Sequence, residues 1–132
     1  MKLTPDTNIL VRAAVVDDVS QSAAAQRLLS EAELIALPTS VLCEFVWVMR
    51  STYKRPAIDV ARSVASLVAA SKVEVNRAAL AAGLHSLDSG GDFADAVIAF
   101  EGAQLGGETF ATFDKKAAKL IQRTGQSVVL LK

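Results

Sequence analysis

The residues of this chain best able to do chemistry are carboxylates that interrupt apolar sequence. Asp6 opens Asp6-Thr7-Asn8, between a short apolar segment and an apolar helical run. Glu44 is the single charge in Val41-Leu42-Cys43-Glu44-Phe45-Val46-Trp47-Val48-Met49. Asp92 and Asp95 head the apolar run that continues to Phe100, and a separation of three residues puts both on one helical face. Asp114 follows Thr112-Phe113 where another apolar segment gives way to a charged one. A carboxylate removed from water is costly unless it is paired or binds a metal. Several converging on one point raise one another's pKa, so such groups persist mainly where a cation neutralises them. An oxygen-only donor set, without His or Cys, suits Mg²⁺ or Mn²⁺. That chemistry favours attack of water on phosphate esters.

Each acid also has a purely structural explanation. Asp6, Asp92 and Asp114 are all candidate helix N-caps, where a carboxylate accepts backbone N–H bonds at the positive end of the helix. Asp95, three residues after Asp92, could fill the acidic position of a capping box. Glu44 lies too far beyond the candidate caps Thr39 and Ser40 for this explanation. Its helix reads as apolar on all sides, so Glu44 is expected to be buried and partnered, either by a metal or by a base such as Arg12 or Arg50. His85 falls mid-helix and reads as a surface or interface residue. Cys43 sits inside an apolar run, the wrong context for a nucleophile, which needs an accessible turn or helix start. One Cys and one His cannot build a zinc site. A receiver-type phosphoacceptor would need an acidic pair after the first strand, and Asp6-Thr7-Asn8 supplies none.

Fourteen basic residues balance fourteen acidic ones, so bulk positive charge does not draw this chain to nucleic acid. Local basic groups do occur, at Arg50, Lys54 and Arg55 and again at Lys115, Lys116, Lys119 and Arg123. The longest charge-free stretch, residues 34–43, contains Pro38 and falls far short of the ~20 apolar residues of a membrane span. Asp6 and Arg12 interrupt the place where a signal peptide's apolar segment would lie, which leads to the expectation of a cytoplasmic protein.

The elements that must position these acids follow from periodicity and punctuation. Strands are expected at 2–5, 34–37, 72–75, 109–112 and 127–131. Helices are expected at 9–16, from Ser20 or Ser22 to about 32, at 41–53, from Pro56 to about 70, at 77–87, 92–105 and 114–123. Pro56 suits a first helical position, and Gly106-Gly107 a helix end. Strands alternating with helices imply α/β architecture: a single domain over residues 1–132, with a central, mostly parallel sheet of four to five strands and helices on both faces. In open sheets of this kind ligands bind beyond the carboxyl ends of the strands, where Asp6 and Asp114 fall.

Taken together, Asp6-Thr7-Asn8, Glu44 in a helix after the second strand, Asp92-Phe93-Ala94-Asp95-Ala96-Val97-Ile98-Ala99 and Thr112-Phe113-Asp114 resemble the PIN-domain signature in order and spacing. The resemblance covers essentially the whole chain, and the sequences around Glu44 and Gly90-Gly91-Asp92 look especially like VapC toxins of type II toxin-antitoxin pairs. It implies a metal-dependent endoribonuclease whose catalytic and metal-holding residues are Asp6, Glu44, Asp95 and Asp114. Asp92 would be a supporting or second-metal acid, and Thr7, Asn8 and Thr112 would hydrogen-bond the acids or the metal's water. The implied cofactor is Mg²⁺ or Mn²⁺, one or two ions per site. The implied products carry 5′-phosphate and 3′-hydroxyl ends. Implied partners are RNA, held in part by Arg50, Lys115 and Lys116, a small VapB-like antitoxin, and a second copy paired through helices that include the apolar residues 41–49. The rival reading is a non-catalytic module of the same fold that binds RNA or protein, with the acids as caps and surface charge.

Overall fold

The computed structural model describes residues 1–132 and is α/β, with five strands and seven helices. All strand pairs are parallel. The strands nevertheless do not join one hydrogen-bonded sheet: β1, β2 and β3 form one ladder and β4 and β5 another. The expected α/β fold with five parallel strands is present, its sheet split into three and two strands. The two ladders fall in separate compact units, Met1–Asn76 and Arg77–Lys132.

In the first unit, β1 (Lys2–Leu3) pairs with β2 (Leu34–Leu37), and β2 with β3 (Val73–Val75). Ile35 and Leu37 alternate inward along β2, as the two-residue period of a strand requires. Four helices accompany the ladder: α1 (Thr7–Ala14), α2 (Val19–Glu31), α3 (Thr39–Ser51) and α4 (Ala57–Val68). Val60, Val64 and Val68 recur every four residues on α4 and are buried. So are Leu42, Phe45, Val46 and Met49 of α3 and Leu10 of α1. Lys72 stabilises the carboxyl end of α2, its ammonium donating to the carbonyls of Leu29 (2.7 Å), Ser30 (3.1 Å) and Ala32 (3.1 Å). These are the carbonyls a helix end leaves without partners, and a cation suits the negative end.

Two expected helix starts are corrected. The residue that caps α2 is Asp18, whose carboxylate accepts from the Gln21 N–H at 3.0 Å. Ser22 is instead a buried core residue, its hydroxyl donating to the Val15 carbonyl. Neither Thr39 nor Ser40 caps α3. Pro38 holds the cap position without a side-chain bond, and both residues are already helical.

In the second unit, α5 (Arg77–Asp88), α6 (Phe93–Gln104) and α7 (Lys115–Arg123) accompany β4 (Thr109–Thr112) and β5 (Ser127–Leu130). Phe93 and Val97 are buried, as are Leu80, Leu87 and Ile121. Gly83 makes room for Phe93: a Cβ there would lie 2.6 Å from the ring. At Gly91 a Cβ would meet Ser86 Oγ and Leu120 Cδ1, each at 2.5 Å, so a larger residue would have to displace both side chains where the chain entering α6 runs close to α5 and α7.

Candidate active site

In the first unit, Asp6 terminates the segment after β1 and caps α1, its Oδ1 accepting from the Ile9 N–H at 3.0 Å. One carboxylate oxygen is thus held by the helix start while Oδ2 is left out of the cap. Glu44 is exposed, which corrects the expectation of a buried acid. Helix α3 is apolar around Glu44 but not covered on every side in the folded protein, since Trp47, one turn on, is 64% exposed. Neither expected base pairs with Glu44. Arg12 is engaged by Asp17 (2.7 Å), and Arg50 donates to the Arg55 carbonyl (2.9 Å). Its partner is Thr7, whose hydroxyl donates to Glu44 Oε2 at 3.1 Å, so Asp6-Thr7 and α3 are linked through side chains. Asn8 is exposed on α1.

The second unit holds the other acids. Asp114 caps α7, and its Oδ1 accepts from both Lys116 N–H (2.8 Å) and Ala117 N–H (3.1 Å). Thr112 orients this turn, its Oγ1 accepting the Asp114 N–H at 3.0 Å. Asp92 occupies the cap position of α6, yet its side chain makes no capping bond. Asp95 lies half-buried in the first turn of the same helix. Its carboxyl is pushed above the ordinary carboxylate value by burial first, then by the negative charges of Asp92 and Asp114, and by the hydrogen bond it shares with the Asp92 side chain. Burial and like charge both disfavour the ion, so the Asp95 carboxylate is strained when no cation is near.

Ser86 was not singled out for this site from sequence. Its hydroxyl donates to the Asp92 carbonyl at 3.0 Å and so fixes where α6 begins. A serine six residues before a helix start, with Gly90-Gly91 between, was the available signal. Lys115 and Lys116 are exposed at the amino end of α7 next to Asp114. Arg50 is exposed at the carboxyl end of α3.

The residue types fit a hard divalent cation. Asp92, Asp95 and Asp114 offer only oxygen, and Asp95 carries the raised pKa that a cation would reverse. No group of three or more Asp, Glu, His or Cys side chains is closed up tightly enough to hold an ion.

The PIN domain family profile matches residues 3–122, a span that includes all five acids. The chain belongs to the PIN domain family. PIN domains are in general metal-dependent nucleases, so this PIN domain has a nuclease-like role and is a hydrolase by kinship. Comparison with curated proteins gives no match. No helix of the PIN domain is long and apolar enough to cross a membrane.

Proposed function

We propose that this PIN domain is a Mg²⁺- or Mn²⁺-dependent endoribonuclease acting as the VapC-type toxin of a toxin-antitoxin pair in the cytoplasm. The observation that carries the reading is the half-buried Asp95 set against the charges of Asp92 and Asp114, a strained arrangement that a divalent cation would relieve. Asp6, Glu44, Asp95 and Asp114 would hold one or two ions, with Asp92 supporting them. When bound, such an ion supplies a lowered water pKa and stabilises charge on the leaving 3′-oxygen.

The protein's own part is to aim oxygens. Asp6 and Asp114 each commit Oδ1 to helix N–H groups, which fixes the carboxylate plane and leaves Oδ2 to ligate. Thr7 orients Glu44 through Oε2. Thr112 sets the turn that carries Asp114. The exposed ammonium groups of Lys115 and Lys116, together with Arg50, would hold RNA phosphates by charge. An antitoxin would silence the site by presenting a basic side chain to the same carboxylates. Exposure of Trp47 on α3 supports pairing with a second copy through that helix.

The non-catalytic reading draws on a specific observation too, because Asp6 and Asp114 are real caps. The test is incubation of the full-length protein with cellular RNA in Mn²⁺ and in EDTA, followed by sequencing of the new ends, with Asp6→Asn as control. Metal-dependent ends bearing 5′-phosphate, absent for Asp6→Asn, are expected. RNA that is bound but left intact in Mn²⁺ would establish the module reading instead.

A further inference from the structure

Within the second unit, α5, α6 and α7 enclose a cavity of about 380 Å³ that none of the acids lines. This lies inside the roughly 300 to 1,000 Å³ of small-molecule sites. Its walls are mainly apolar, from Ala96, Ala99 and Phe100 of α6 and Leu120 and Ile121 of α7. Polar side chains are present, but their donors are turned onto the backbone. Ser89 donates to the His85 carbonyl (2.9 Å), Thr124 to that of Ile121 (2.6 Å) and Gln126 to that of Ala99 (3.2 Å). The ionisable side chains of the lining are His85 and Arg123, with no carboxylate among them.

We propose that this cavity binds a small amphipathic anion, with an apolar body against the alanine and Phe100 wall and one acidic head at Arg123. The charge of the lining selects an anion, and its apolar area selects what the anion carries. A nucleobase is the poorer occupant, because reading a base edge takes several directed hydrogen bonds, and the hydroxyl donors of Ser89 and Thr124 and one N–H of the Gln126 amide are already engaged by the backbone. The cavity is separate in chemistry from the acid-lined site, being apolar and cation-rimmed where that site is carboxylate-rich.

The test uses the full-length protein with 8-anilinonaphthalene-1-sulfonate as fluorescent reporter and with decanoate, decyl phosphate and decanol as competitors. One reporter per chain is expected, displaced by both anions at least about tenfold more effectively than by decanol. A carboxylate source and a phosphate source are told apart by which anion competes better. Arg123→Gln, a change on an exposed side chain, should bring the anions down to the level of decanol. Ala103→Trp, which fills the cavity from α6, should remove reporter binding at unchanged melting temperature. Equal displacement by decanol in the wild type, an unaltered anion preference in Arg123→Gln, or better displacement by adenosine monophosphate than by decanoate would each overturn the proposal. So would absence of reporter binding together with a dimer that Ala103→Trp splits, because a second copy would then be the occupant.

Discussion

The acids of the two units are stabilised in opposite ways. In Met1–Asn76, Asp6 is held by a helix N–H and Glu44 by the Thr7 hydroxyl. In Arg77–Lys132, Asp114 is similarly held by two N–H groups, but Asp95 faces burial and two like charges, and Asp92 has the cap position without the cap bond. The same residue type at the same kind of location, a helix start, can therefore be a structural device or an unrelieved charge. The difference is whether the carboxylate takes up the helix N–H groups, as Asp6 and Asp114 do, or turns to another acid, as Asp92 does toward Asp95. Among the site acids at helix starts, Asp92 and Asp95 are the ones without a capping bond.

The sharpest way to break this contrast is Asp95→Asn. Loss of a metal-holding carboxylate should lower RNA cleavage by about 10³-fold or more, on the order of 4 kcal/mol of transition-state stabilisation. The metal-free variant should melt at the same temperature as wild type or higher, since an amide removes the repulsion from Asp92 and Asp114. Wild type should gain about 2.7 kcal/mol from a hundredfold excess of Mn²⁺ over Kd, and the variant should lose most of this gain. Equal destabilisation of Asp95→Asn in EDTA and in Mn²⁺ would make Asp95 an ordinary helix-start acid.

A smaller effect separates the two caps that sequence made look alike. Asp114→Ala should cost about 1 kcal/mol in metal-free melting, because it abandons the N–H groups of Lys116 and Ala117. Asp92→Ala should cost nothing or stabilise, since it abandons no capping bond and relieves Asp95. A comparable loss in both would remove the distinction.

The units should also answer oppositely to acid. Asp17, in the first, lies below its ordinary pKa: desolvation opposes this, but hydrogen bonds from Tyr53 and Arg12 and the charge of Arg12 prevail. Its contribution is present above pH 3.8 and is lost as pH falls through the lower folded value. Asp95 lies above its ordinary value, so the folded state holds its proton more tightly. Its contribution is complete below pH 3.8 and is lost as pH rises through the folded value. In EDTA, wild type should therefore gain on Asp95→Asn as pH falls toward 3.8, while it should lose ground to Asp17→Asn below that pH. Parallel curves for wild type and Asp95→Asn would show that the carboxyl is not strained.

The smallest expected effect belongs to Thr7→Val, which removes one exposed hydroxyl bond to Glu44. Stability should fall by at most about 0.5 kcal/mol, the low end for a hydrogen bond in water. If Thr7 orients Glu44 for a metal, Mn²⁺ affinity should fall roughly tenfold, as for other groups that orient ligands. An unchanged Mn²⁺ titration would reduce the bond to a surface contact.

What the sequence by itself determined is the local structure. The strand bounds 34–37 and 109–112 match the folded protein, the other elements shift by at most two or so residues, and Asp6 and Asp114 cap helices where their spacing predicts. These features depend on groups within about four residues of each other, so spacing and residue type are enough. Tertiary structure decided what depends on distant partners. It put Glu44 on an exposed face beside Thr7, though its apolar neighbours suggested burial, because which sides of a helix are covered depends on the elements packed against it. Ser22 became a core residue and Lys72 the cap of α2 for the same reason. The parallel strands divided into two ladders, a pairing that no local pattern encodes. The strain on Asp95 likewise comes first from burial, which only folding supplies, then from the charge of its neighbour Asp92 and from that of Asp114, nineteen residues away along the chain.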